Sequence, residues 1–330
     1  MIKRLAMPLA FLAGLALAAV LAAHAGLAAI GRALADIGWA GVLQVCALQF
    51  AALAVCAVAW WAVAPGTRLY PCLMARWIRD GVSNLVGFIP AIGEAVSARA
   101  LAVFAGSAGG QAAATTIVDV AVESLSQALY TVIGFLLLLQ FISPGQAVRW
   151  FVVVLIAAVP VVATYAFSRH PGALAWGQRT GLKLARLFGV KEGAGLQIPQ
   201  MVEAIYGRPR RVAMAFALHM LGWGLGALQT WAAARGLQHP LSFGACVALA
   251  SLVSAARSAF FLVPWAAGVQ EGGFLLVGAA VGLDASSAIA LSLVLRARDV
   301  LVGAPAILAW YVAEGRRGWA RRSAAVSPEA

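Results

Sequence analysis

The chain has 330 residues, of which 63% are apolar and only 11% charged, with a formal charge of +12. A soluble domain of this length has nowhere to hide so much apolar surface, so the composition indicates membrane spans. Lys and Arg sit mainly between the apolar runs, which fits topology-setting charge rather than nucleic-acid binding.

A crossing needs roughly 20 apolar residues. Reading in chain order, clear spans are expected at residues 5–23, 39–64, 117–141, 150–167, 212–234 and 241–261. The first run resembles a signal h-region but is too long for one and leads into further spans, so a retained helix is expected. Residues 274–283 are short for a crossing, and 286–312 are interrupted by Arg296, Arg298 and Asp299. Basic clusters at Lys3–Arg4, Arg68–Arg79, 168–211 and 316–322 all belong on the cytoplasmic side. Both termini then lie inside, and about eight crossings are expected, counting one near 264–283 and one near 286–313. The fold class is thus an all-α polytopic membrane bundle with one or two broken or re-entrant helices and an internal repeat. Residues 1–315 form one membrane domain, and 316–330 form a basic tail.

Within 168–211, Arg179, Lys183 and Arg186 share one helical face. This segment reads either as a helix lying on an anionic leaflet or as a solvated loop that only sets topology. The cysteines (Cys46, Cys56, Cys72, Cys246) show no metal-ligand spacing, and among the histidines only His219 falls inside a predicted span. No metal and no cofactor is expected.

Two half-polar stretches stand out: RWIRDGVSNLVGFIPAIGEAVSAR at 76–99 and RSAFFLVPWAAGVQEGG at 257–273. Each sets helix breakers beside ionisable groups. Charges at membrane depth are costly, and broken helices there are tolerated where they line a cavity. In the first, Pro90 and Gly93 let the chain turn, freeing backbone groups and the Asn84 amide to face a ligand. Glu94 is a candidate proton or cation site, and Arg76, Arg79 and Arg99 are candidates to grip a lipid phosphate. In the second, Arg257 precedes Pro264, and Glu271 sits among Gly268, Gln270, Gly272 and Gly273. Asp119 and Glu123 share a helical face, as do Arg296 and Asp299. Pairing of Asp119 or Glu123 with Arg296 or Arg298 is expected, with a transport role as the alternative. An ion pair between Glu94 and Arg257 that only locks the bundle is the rival to a functional reading of the broken motifs. The sequence holds no P-loop, no G-x-S-x-G elbow and no HExxH.

At these residues the chain resembles the lysylphosphatidylglycerol synthase transmembrane, or flippase-like, family. The segments carrying the likeness are RDGVSNLVGFIPAIGEAVSARAL and SAARSAFFLVPWAAGVQEGGFLLVGAAVGL. It is most similar to the hopanoid-biosynthesis-associated HpnL branch, whose pattern matches Arg257, Pro264, Gly268 to Gly273, Ser292-Leu293, Arg296 to Arg298, and Asp119 with Glu123. A single Gly93 precedes Glu94 where that branch has two glycines. The resemblance implies an inner-membrane protein of about eight spans that moves a lipid, a phospholipid-like molecule or a hopanoid, across or out of the bilayer. In the synthases a separate soluble domain performs aminoacyl transfer, and no such domain is expected in this sequence. The resemblance also implies partners from a lipid or hopanoid pathway. The rival classes are a membrane-embedded lipid or sugar transferase using Glu94 or Glu271 as a base, and a non-transporting accessory subunit.

Overall fold

A computed structural model describes residues 27–85, 92–170, 172–173, 198–237, 241–260 and 263–326. The predicted first span at 5–23, Pro90, and Arg179, Lys183 and Arg186 lie outside the described residues. Those described form ten α-helices and one 3-10 turn, with no strand among them: α1 (Leu27–Val63), α2 (Leu69–Leu85), α3 (Ile92–Ala105), α4 (Gly109–Leu138), α5 (Pro144–Arg169), α6 (Ile198–Tyr206), α7 (Pro209–Gly236), α8 (Phe243–Ala259), the turn Pro264–Ala266, α9 (Val269–Ala280) and α10 (Ala285–Val326). The architecture is an all-α membrane bundle. Ala35–Val63, Gly109–Leu138 and Pro209–Gly236 are long and apolar enough to cross a membrane. The helix α10 runs beyond residue 315 and contains Pro305.

Local sequence explains the boundaries. Pro144 opens α5 behind a Ser143–Gln146 capping box, and Pro209 opens α7. The Ser242 hydroxyl accepts the Ala245 N–H at 3.2 Å to start α8, and the Asp284 carboxylate accepts the Ser287 N–H at 2.9 Å to start α10.

The half-polar stretches fold as helical hairpins. In the first, α2 and α3 run antiparallel: Tyr70 meets Phe104 at the base, and Arg79 meets Glu94 near the tip. Limbs of 17 and 14 residues reach about 25 and 21 Å, less than the ~30 Å of a hydrocarbon core. The second hairpin joins α8 to α9 through the Pro264–Ala266 turn, with Gly273 against Val253.

Two apolar clusters surround the hairpins and reveal their direction. One gathers Cys72, Ile78, Val82 and Leu101 of the first hairpin with Ala59, Trp60, Ala62 and Val63 of α1, Val118 of α4 and Ala215 of α7. The other gathers Leu249, Val253, Phe274 and Val277 of the second hairpin with Val45 of α1, Leu138 of α4 and Ala233 of α7. The first hairpin therefore packs at the C-terminal end of α1 and the N-terminal ends of α4 and α7, and the second packs at their other ends. Helix, hairpin, helix occurs twice, as α1–α4 and α7–α10, and the two hairpins enter from opposite ends of the bundle. Their tips meet where Arg257 donates to the Asn84 side-chain oxygen Oδ1 at 2.9 Å. Basic side chains collect at the end bearing the first hairpin's base. There Arg169 stacks on Tyr206, and Arg208 and Arg211 approach Val63 and Pro65.

The role of Gly93 differs from expectation. Its backbone is not in the left-handed region; instead, a Cβ there would lie 1.9 Å from the Ser83 hydroxyl and 3.1 Å from the Arg79 carbonyl oxygen. Glycine lets the hairpin limbs touch. Gly93→Ala is expected to destabilise the protein by about 1–3 kcal/mol, read as a lowered melting temperature in detergent. Adding Ser83→Ala should restore part of the loss, because it removes the closest atom.

Candidate functional site

A cavity of about 840 Å³ lies between the hairpins, walled by both of them and by α1, α4, α7 and α10. Helical spacing builds its polar faces. On α2, Arg76, Arg79, Asp80, Ser83 and Asn84 recur at three- and four-residue steps and all line it. On α4 the stripe is Glu123, Gln127 and Tyr130, and on α7 it is His219, Gly222, Trp223, Gly226 and Gln229. The second hairpin adds Arg257, Ser258, Trp265 and Gln270.

The first charged cluster joins α2, α3, α4 and α7. Arg76 donates two hydrogen bonds to Glu123, at 2.9 and 2.6 Å, and has Asp80 3.2 Å from its Nε. This fork-to-fork pairing is the strong guanidinium geometry. Arg79 donates to Glu123 at 2.7 Å, to Asp119 at 3.4 Å and to Glu94 at 3.5 Å. His219 Nε2 lies 3.0 Å from Asp119 Oδ1, with both side chains 1% exposed. The Glu94 side chain retains 32% exposure and has one long contact in this cluster. It is the least committed acid here.

The second cluster serves a different purpose. Arg296 Nε donates to Glu271 at 2.5 Å and Nη2 at 3.0 Å. The same guanidinium donates to the carbonyl oxygens of Trp265 and Ala266, at 3.0 and 3.2 Å, and lies over the Trp265 ring. Those two residues have φ of 59° and 47°, which is unfavourable for non-glycine side chains. Gly268, at φ 75°, lets the chain enter α9, and its N–H donates to Glu271 at 2.9 Å. Arg296 and Glu271 thus hold the turn in its strained form. Nearby, Gln270 donates to Ser292, at 3.2 Å to its carbonyl and 3.1 Å to its hydroxyl.

A third group sits between the tips. Arg298 pairs with Asp299 at 2.6 Å and with the Gln229 side chain. Arg257 lies 4.0 Å from Asp299 and donates to Asn84. Its side chain is 27% exposed and faces the cavity, making it the most loosely paired cation there.

Several sequence expectations are corrected. Asp119 and Glu123 pair with Arg76 and Arg79, not with Arg296 or Arg298, because the polar face of α2 docks on α4 while Arg296 faces the second hairpin. Glu94 and Arg257 form no ion pair: Glu94 turns to Arg79, and Arg257 to Asn84 and Asp299. Glu271 and Gly268 do not line the cavity, since Glu271 is consumed by Arg296. Arg99 also lies outside it, 2.8 Å from Glu314, with both side chains about half exposed. Five residues past Glu94, it sits on another face and nearer the hairpin's base. Pro264 begins the tip turn of the second hairpin. His219, Asp80 and Gln229 join the site without having been expected there. For His219 the available signal was a lone histidine inside an apolar span. Among the described residues no group of three His, Cys, Asp or Glu side chains is arranged to hold a metal.

These features define a polytopic helical membrane protein with a charged cavity between two opposed broken-helix hairpins. The match to the family model for the lysylphosphatidylglycerol synthase TM region covers residues 9–306, and the chain belongs to that family. Membership places it among membrane proteins with a lipid-related function. Searches of curated proteins and of solved structures each gave no match.

Removing one member of a buried ion pair typically costs about 3–5 kcal/mol. Arg296→Gln is expected to fall in that range and to open residues 260–268 to limited proteolysis. Arg99→Ala should change stability by less than about 1 kcal/mol, as for exposed pairs. Melting temperatures of the two variants in the same detergent check both.

Proposed function

We propose that the protein translocates a lipid across the bacterial inner membrane, with the head group passing through the cavity between the hairpins. The observation that carries this reading is the opposed entry of the two hairpins, whose tips meet at Asn84 and Arg257. A site at the junction of two oppositely directed repeats is a design that alternating access exploits. Arg257 guides the head group, Asn84 and Gln270 supply neutral hydrogen-bonding groups, and Glu94, positioned by Arg79, gates or couples. Arg76 and Glu123 hold the first hairpin on α4. Glu271 acts through Arg296 as an anchor of the second tip rather than by touching the lipid.

The charged wall favours a lipid with a charged or strongly polar head group. A hopanoid carries no phosphate for the guanidiniums, so membership of the hopanoid-associated HpnL branch, partners from that pathway and hopanoid cargo stand as the narrower form of this proposal. The collection of basic side chains at the end bearing the first hairpin's base supports a cytoplasmic location for that end, with both termini inside; the second hairpin returns to the end it enters from, so 241–261 and 264–283 are its two limbs rather than two of the eight expected crossings.

Purified protein in vesicles with a leaflet-labelled phospholipid is expected to move the label between leaflets. Arg257→Gln should slow movement about ten- to a hundredfold, as for loss of a charge-assisted hydrogen bond worth about 1.5–3 kcal/mol. Absence of movement with every lipid class tested removes the reading. Lipid mass spectrometry of a deletion strain separates the rivals: a transferase's loss deletes a lipid species, whereas a transporter's loss relocates one. An accessory subunit tolerates Glu94→Gln with its partner contacts intact.

A further inference from the structure

His219 has a place in the first charged cluster but no task in the account above. Its ring is 1% exposed and lines the cavity. One nitrogen faces Asp119 at 3.0 Å, and the other, Nδ1, is buried with no oxygen or nitrogen partner among the described residues, the Cys56 thiol being a weak neighbour of the ring. A histidine that merely tied α7 to α4 would need one nitrogen, and leaving the second without a strong partner in an apolar bundle carries a cost.

The charges around the ring give that nitrogen a use. Around the imidazole are Cys56 of α1 and Asp119, on Nε2, and Glu123 of α4, with Arg76 and Arg79 of α2 behind the carboxylates. Asp80 and Glu94 complete the cluster, while Arg257 and Arg298 reach the same cavity from α8 and α10. Arg257 and Arg298 are engaged with Asn84 and Asp299, so within the first cluster itself two guanidiniums face four carboxylates, and uncompensated negative charge is expensive in an apolar bundle. A proton on His219 reduces that excess without adding an atom from outside.

The geometry points to His219 and Asp119 as a proton-binding site, with the proton as the ion coupled to lipid movement. This rests on the translocation reading and supplies its energy source. A proton taken up from bulk solvent through the cavity binds Nδ1, leaves the Nε2–H on Asp119 and forms an imidazolium. His219 and Arg79 then compete for one carboxylate: the imidazolium holds Asp119 at 3.0 Å, while Arg79 stays on Glu123 at 2.7 Å with Asp119 at 3.4 Å and Glu94 at 3.5 Å. When the first hairpin moves so that Arg79 takes Asp119, the ring loses its counter-ion and the Nδ1 proton returns to water. Movement of the hairpin that carries Arg79 and Glu94 is thereby tied to proton binding and release.

Two measurements test this. In nanodiscs, the ¹⁵N ring signals of His219, assigned by their loss in His219→Gln, are expected to be those of an imidazolium at neutral pH and of a neutral ring in Asp119→Asn. A neutral ring in the unmodified protein overturns the site. In vesicles with a leaflet-labelled phospholipid, reversing a pH gradient of about one unit should change the direction-dependent rate ratio severalfold. The bound for one proton is about tenfold. In His219→Gln and Asp119→Asn that ratio should fall to one whatever the absolute rates. Lipid movement that ignores the pH gradient, or follows a sodium gradient instead, overturns the coupling. No movement under any gradient removes the translocation reading and the coupling with it, while the ring signals still decide whether the proton site exists.

Discussion

Arg76 and Arg79 must find carboxylates, and the way they do so organises half of the molecule. A guanidinium taken into an apolar bundle loses several kcal/mol of hydration unless its hydrogen bonds and charge are matched. Both arginines are under one-tenth exposed, on an α2 face that lies against Asp119 and Glu123 of α4. The match fixes the rotation of α2 and brings its hairpin partner α3 close enough for Glu94 to reach Arg79. It also draws α7 in through His219. A cavity follows because the polar faces that satisfy one another are too long to be filled entirely by one another's side chains.

The two hairpins answer the same constraint with opposite chemistry. In the first, the arginines of the leading limb are committed to the following long helix, and the acid of the returning limb, Glu94, stays loosely held. In the second, the returning limb's acid, Glu271, is committed to Arg296 of the following helix, and the leading limb's Arg257 stays loosely held. The cavity thus carries a spare acid from one repeat and a spare base from the other. Each committed pair also has a mechanical consequence: Arg76 docks a whole hairpin, whereas Arg296 clamps a strained two-residue turn.

For a membrane protein of this family, these arrangements turn a lipid-related function into a chemical question about the cavity. A head group of the proposed cargo would meet loosely held charges of both signs near the hairpin tips. Groups that hold the fold rigid lie one layer further out.

Much of the fold was legible in the sequence because lipid imposes a simple rule: apolar runs of sufficient length become helices, and charges beside Pro and Gly mark the breaks. The long apolar cores of α1, α4 and α7, the two broken stretches and the arginines and acids within them could all be picked out that way. Partner choice could not. Asp119 had four arginines of plausible chemistry, and only the docking of α2 on α4 decided for Arg76 and Arg79. Glu94 and Glu271 looked equivalent in sequence, yet tertiary packing left one at the cavity wall and sealed the other beneath a turn. His219 acquired its place in the same way, through a carboxylate 100 residues away. Local hydrophobicity and backbone chemistry determine which segments form and where they break. Which buried charges neutralise one another depends on distances between segments, and those exist only once the bundle has closed.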